Sequence, residues 1–211
     1  PQMKNFDIVH FVGPHFFHLR PNKLIPFFNY IKKHNKHVFH SAISTDHQYV
    51  KTCYDEKTFR YSDYLIGEKT SPYMESHEGK TQHQWLLPEV ANYHEYFIKN
   101  IDGTIACLYE YYASYKNIIP HKLGYAGIPI DTNSLKPHYI ENEPSKVRFF
   151  IGIQKDRTIL KGTDRLLEAL KRVCEQYPDQ CEMLVAENVP YKEYVQMMNN
   201  SHVILDQIYS Y

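Results

Sequence analysis

A chain of 211 residues with 43% hydrophobic content can bury a core as one large α/β domain, as two small ones or as pieces of two. Lys+Arg and Asp+Glu both total 24, so no net field draws the chain to nucleic acid or to an anionic membrane, and any recognition by charge has to be local. No stretch reaches the roughly 18 apolar residues of a membrane span, and the opening PQMKNFDIVHF reads as neither span nor signal peptide; four cysteines without a CxxC pair read as reduced thiols. The expected setting is the cytoplasm, or the periphery of the inner face of a membrane.

NFDIVHFVG (5–13) is a short, nearly continuous apolar run ending in Gly, the pattern of a strand covered on both faces. In RPNKLIPFFNYIKKHNK (20–36), Leu24, Phe27, Phe28 and Ile31 recur at helical spacing, with Asn22 as the candidate N-cap and Pro26 near the first turn. HVFHSAIS (37–44) is a second strand, followed by Thr45, Asp46 and His47. Strand, helix, strand implies a right-handed parallel crossover, and ligands gather at the carboxyl ends of such strands. Residues 47–87, rich in Tyr, Lys, Glu and His, show little periodicity. PEVANYHEYFIKN (88–100) is a helix with Pro in its first turn. A strand (103–109), a short helix and a strand over 122–133 follow.

Residues 138–146 are polar, contain Pro144 and read as a linker. Beyond it the alternation restarts: a strand at KVRFFIGI, a helix over 163–177, a strand over 181–189, a helix at PYKEYVQMMNNS and a strand over 202–208. The expected fold is α/β, with two Rossmann-like halves, 1–137 and 147–211, each a mainly parallel sheet flanked by helices, facing each other across a cleft. His34, His37 and His40 do not suggest a metal, because residues three apart on a strand point to opposite faces.

The richest segment chemically is FFIGIQKDRTILKGTDRLLEAL (149–170). A strand delivers the chain to Gly152, a segment with Lys155, Arg157 and Lys161 follows, and Gly162 and Thr163 open an amphipathic helix. Cations beside the unpartnered amides of a helix start suit a phosphate or diphosphate. There is no GxxxxGK[ST] and no GxGxxG, so spacing alone leaves a solvated basic loop, with Asp164 on the helix dipole, as the alternative. Glu187, Asp206 and Gln207 end strands of the same half and are cleft candidates or solvated loop residues.

The stretch from FFIGI through KGTDRLLEALKRV resembles the start of the carboxy-terminal domain of group 1 glycosyltransferases, a mostly retaining family with the GT-B fold. Lys161, Gly162, Asp164, Leu166, Leu167, Ala169 and Leu170 occupy its Lys-Gly and Leu-Leu-x-Ala-Leu pattern. EMLVAENVPYKEYVQMMNNSHVILDQI is similar to the segment that follows, and DIVHFVG, the strand ending in STD, IDGTIACLYEYY and GYAGIPIDT resemble the latter part of the amino-terminal, acceptor-binding domain. The resemblance implies transfer of a sugar from a nucleotide-sugar donor to a glycan, lipid-linked sugar or small molecule, with retention, and with neither metal nor cofactor. It assigns the donor diphosphate to Gly152, Lys155, Arg157, Lys161, Gly162 and Thr163, and catalytic roles to Lys161, Arg157 and Asp46. Fixed cations at the leaving oxygens stabilise the charge that develops there.

The sequence departs from the family at two places. Gly152-Ile153 stands where the family has Gly-Arg, so Arg157 or Lys155 takes the arginine's part only if the loop bends back. Ile43-Ser44-Thr45-Asp46 stands where His-Gly-Ser-Asp is usual, leaving His15 or His47 as substitutes. Segments that the family carries before and after these motifs have no counterpart here, so both domains are expected to be incomplete. A sugar-nucleotide epimerase of the same architecture and a non-catalytic nucleotide-sugar-binding module are the alternative readings.

Overall fold

The structure, a computed structural model, describes residues 3–17, 19–55, 57–133 and 145–209. It is α/β, with parallel sheets flanked by helices. It divides into two units: residues 1–60, 64–70 and 74–130 form the first, and 61–63, 71–73 and 131–211 the second. The linker expected over 138–146 lies, as far as residue 144, outside the described residues. No helix among the described residues is long and apolar enough to cross a membrane.

The first unit runs β1 (Ile8–Phe11), α1 (Pro21–His34), β2 (His37–Ala42), α2 (His47–Cys53), a short antiparallel hairpin of β3 (Leu65–Ile66) and β4 (Lys69–Thr70), α3 (His77–Thr81), α4 (Pro88–Asn100), β5 (Gly103–Ala106), α5 (Tyr109–Tyr115) and β6 (Leu123–Tyr125). Its main sheet is parallel in the order β1-β2-β5-β6. Strand order rises in one direction, so right-handed crossovers deliver the connecting helices to one face. Burial agrees: Val38, His40 and Ala42 of β2 and Thr104 and Ala106 of β5 are buried, while the alternate residues Ile8 and Ile105 are exposed. The expectation of a first strand covered on both faces is therefore corrected. His37 and His40 fall on opposite faces of β2, His40 under the helices and His37 exposed.

On the covered face, Leu24, Phe28 and Ile31 of α1 are buried together with Phe11, Tyr93 and Phe97. Phe97 lies 5.0 Å from Phe28 and 5.5 Å, edge-on, from Phe11, ring to ring. Helix α1 starts two residues earlier than Asn22 as N-cap suggested. Pro21 takes the first helical position, where its missing N–H costs nothing, and the N-cap is Arg20 without a side-chain cap bond. Phe27, read as part of the apolar stripe, is instead 49% exposed.

The second unit runs β7 (Val147–Ile153), α6 (Thr158–Lys161), α7 (Thr163–Gln176), β8 (Cys181–Glu187), α8 (Tyr191–Asn199) and β9 (Val203–Leu205), with a single 3₁₀ turn at Lys155–Arg157. Its parallel sheet has the order β8-β7-β9. The strand earliest in sequence is thus in the middle, and the chain moves to one side of it and then to the other. Phe150 and Ile151, adjacent in β7 and pointing to opposite faces, are both buried, so both faces of the middle strand are covered. Phe150 meets Tyr194 of α8 edge-on at 5.0 Å.

Candidate functional site

The change of direction in the strand order of the second unit creates a switch point at the carboxyl ends of β7 and β9, the place where open parallel sheets bind ligands. A cavity of about 690 Å³ lies there. Its wall includes Gly152 near the end of β7, Lys155 after it, Asn188 after β8, Asp206 after β9, Lys161 of α6 and Tyr194 of α8. Gly152 leaves room for the Tyr194 ring: a Cβ at that position would stand 2.8 Å from the tyrosine oxygen. The Lys161 side chain is only 17% exposed, and its Nζ lies 4.0 Å from Oδ1 of Asp206, whose own side chain is 73% exposed.

Of the six residues expected to hold a diphosphate, Gly152, Lys155 and Lys161 reach this wall, and Asp206 joins them. Gly162 and Thr163, both buried, do not line it. The segment after β9 folds over the start of α7. The amide of Ile208 donates to the Lys161 carbonyl at 2.9 Å, and a Cβ on Gly162 would lie 2.9 Å from the Tyr209 ring. Beside that contact Thr163 Oγ1, Gln207 Oε1 and the Tyr209 hydroxyl are buried without a hydrogen-bond partner among the described residues. Arg157 is half-buried at the end of the 3₁₀ turn, outside the wall, and Glu187 is exposed next to Asn188. The basic loop of the sequence reading is two consecutive helical turns, which shorten the reach of the segment. The wall carries two carboxylates, Asp156 and Asp206, alongside its two lysines.

Gly162 joins α6 to α7 at φ +69°, in the left-handed region that a side chain rarely adopts. Gly162→Ala combines that strain with displacement of the buried Tyr209 ring. It is expected to destabilise the second unit by about 2–3 kcal/mol, read as a lowered denaturation midpoint in urea at unchanged slope.

The remaining candidates belong to the first unit. Asp46 is the N-cap of α2 and is 1% exposed. Its Oδ1 accepts from the Tyr49 amide at 2.8 Å and its Oδ2 from the Tyr115 hydroxyl at 2.6 Å. Burial pushes its carboxyl above the usual range, against the opposing pull of His40 and these hydrogen bonds. Both oxygens are occupied by the protein, so Asp46 positions α2 and α5 and does not face open space. The Tyr115 hydroxyl also lies 3.2 Å from Nε2 of His94, and burial holds the His94 ring at about 3 and His40 at about 4. His47 Nδ1 lies 2.8 Å from the Trp85 carbonyl oxygen. His15 sits edge-on to Trp85 and Tyr93, with neither ring nitrogen bonded among the described residues, and burial lowers its pKa. His15 and His47 thus belong to one aromatic and imidazole cluster with Asp46, His94 and Tyr115.

Sequence reasoning missed Tyr194, Asn188, His94 and Tyr115. Asn188 falls inside the strand expected over 181–189, but β8 ends at Glu187 and Asn188 follows it at φ +55°, a conformation Asn tolerates better than most residues. Among the described residues no group of three or more His, Cys, Asp or Glu could hold a metal ion. No protein-family profile, curated protein or solved structure matches the chain.

Proposed function

We propose that the chain is a glycosyltransferase of GT-B type, acting on a nucleotide-sugar donor with retention, and that the second unit holds the donor diphosphate at the carboxyl end of β7. The bond from the anomeric carbon to the diphosphate oxygen breaks, a bond to an acceptor hydroxyl oxygen forms, and the hydroxyl proton leaves with the departing diphosphate or to solvent. Lys161 and Lys155 offset the charge gathering on the leaving oxygens. The observation that carries this reading is Lys161: an ammonium on a largely buried side chain, fixed at a switch-point cavity, with an exposed and rotatable carboxylate 4.0 Å away. An incoming phosphate competes with Asp206 for that ammonium.

Titration calorimetry with a nucleoside diphosphate tests this directly. Lys161→Ala is expected to weaken binding by on the order of a hundredfold, the worth of a charge-assisted contact to phosphate, and Asp206→Asn is expected to strengthen it severalfold by removing the competing anion. Equal affinities across the three proteins would overturn the reading. A second reading, a binding module without turnover, draws on Asp46: the carboxylate expected near the sugar is enclosed by Tyr49 and Tyr115. It predicts the same binding pattern with no sugar released or transferred.

A further inference from the structure

Charge is balanced over the whole chain but not along it. Between Ile8 and Thr45 there is no Asp or Glu, against five Lys/Arg: Arg20, Lys23, Lys32, Lys33 and Lys36. Lys32 is held by Asp102 at 2.9 Å, and Lys36 lies 3.9 Å from Asp7. Arg20, Lys23 and Lys33 form no ion pair among the described residues.

These three cations surround an apolar surface on the outer side of α1. Spacing of i, i+4 and i+7 puts Lys23, Phe27 and Tyr30 on one stripe of the helix, away from the buried Leu24, Phe28 and Ile31. Phe27 is 49% and Tyr30 38% exposed, beside Phe17 at 56% and Met3 at 41%. Phe17 and Phe27 meet edge-on at 6.0 Å. Together with Pro26 and Ile31 these residues line a shallow cleft of about 520 Å³ without a charged side chain in its wall. Phe17 adopts φ +61°, a strained backbone for a bulky residue, so the chain carries a local cost at the residue that presents the most exposed ring of the cleft.

We propose that this side of α1 docks on the surface of an anionic lipid bilayer, with α1 lying in the plane of the interface. Met3, Phe17, Phe27 and Tyr30 enter the boundary between headgroups and acyl chains, and the cleft accepts an acyl segment. Arg20 and Lys23 at one end of the stripe and Lys33 at the other meet lipid phosphates. Rings flanked by cations, on a helix with no acidic residue, match the composition of interfacial helices. A second copy of the chain fits the surface less well, because a two-fold interface would bring the same cations against each other.

Co-sedimentation of the 211-residue chain with vesicles is the test. Partitioning onto vesicles of phosphatidylcholine and phosphatidylglycerol in equal parts is expected to exceed that onto phosphatidylcholine alone by about tenfold or more, and to fall with salt. Lys23→Glu with Lys33→Glu removes the preference for the anionic vesicles. Phe17→Gly with Phe27→Ser lowers binding to both; glycine is at ease at φ +61°, so an unchanged or raised melting temperature shows that folding is intact. Full binding by the Phe17→Gly/Phe27→Ser protein would overturn the proposal, as would equal partitioning of the unaltered chain onto the two kinds of vesicle. A concentration-dependent dimer that Phe27→Ser dissociates would also overturn it, since a second copy then covers the surface.

Discussion

Replacing Asp46 by alanine is expected to cost the first unit about 3–5 kcal/mol, enough to consume much of the stability of an ordinary domain. The side chain does two jobs from a fully buried position. Through Oδ1 it caps α2 at the Tyr49 amide, a contact that is worth about 1 kcal/mol by itself. Through Oδ2 it accepts the Tyr115 hydroxyl, which is itself wholly buried on α5. Alanine therefore strands the Tyr49 amide where water does not reach and leaves the Tyr115 phenol only the longer contact to His94 Nε2 at 3.2 Å; a stranded group costs about 1–3 kcal/mol. Tyr115→Phe removes the partner of Oδ2 but leaves the cap, and is expected to lose about half as much. Asp46→Asn keeps one acceptor oxygen for the Tyr49 amide, and its NH2 can donate to the Tyr115 oxygen while that hydroxyl turns to His94 Nε2, so it should lose less than Asp46→Ala. Urea unfolding of the three variants decides the matter: a midpoint for Asp46→Ala within error of the unaltered chain would show that the network contributes nothing, and an equal loss for Asp46→Asn would move the effect from hydrogen bonding to charge.

The same residue marks the boundary of what local sequence can say. An Asp at the end of a parallel strand suits a ligand site and suits a helix N-cap equally well, and only the distant Tyr115 and His94 decide between the two. Those partners lie 69 and 48 residues along the chain from Asp46, beyond any spacing rule. Strands of the second unit were legible because they are continuous apolar runs, and α7 because Leu166, Leu167 and Leu170 repeat at helical spacing. Helix α2 escaped notice, since its seven residues are too few for periodicity to emerge. The turns over 155–161 escaped for a similar reason: their hydrogen bonds run within single turns, so no stripe forms. Lys161 and Gly152 line the strand-end cavity, but the burial of Gly162 and Thr163 depends on Ile208 and Tyr209, which the sequence presents only as the tail of another strand.

Acid should unfold the first unit earlier than its carboxylates alone would require. His94 and His40 are buried as neutral rings, with protonation pushed down to about 3 and about 4 from the ordinary 6.5. Burial is the main cause in both, and neighbouring imidazoles add to it: His47 and His15 for His94, and His94 and His10 for His40, although Asp46 pulls His40 back upward. Below 6.5 the unfolded chain takes up protons that the folded unit refuses, so stability falls as pH drops through that value and goes on falling until the folded pKa values are reached. His40 contributes a loss of about 3 kcal/mol and His94 about 5 kcal/mol, with a combined slope approaching about 3 kcal/mol per pH unit. Asp46 acts in the opposite direction: its raised pKa means that the folded state binds its proton first, and acid relieves part of the cost of burying the carboxylate. Two imidazoles against one carboxyl leave a net loss. Equilibrium unfolding followed across the acid range should show this slope in the unaltered chain. With His40→Gln and His94→Gln combined the profile should flatten between 6.5 and 4, even if the variant begins less stable at neutral pH. An unchanged slope in that variant would assign the acid sensitivity to other groups and leave the buried imidazoles as ordinary packing.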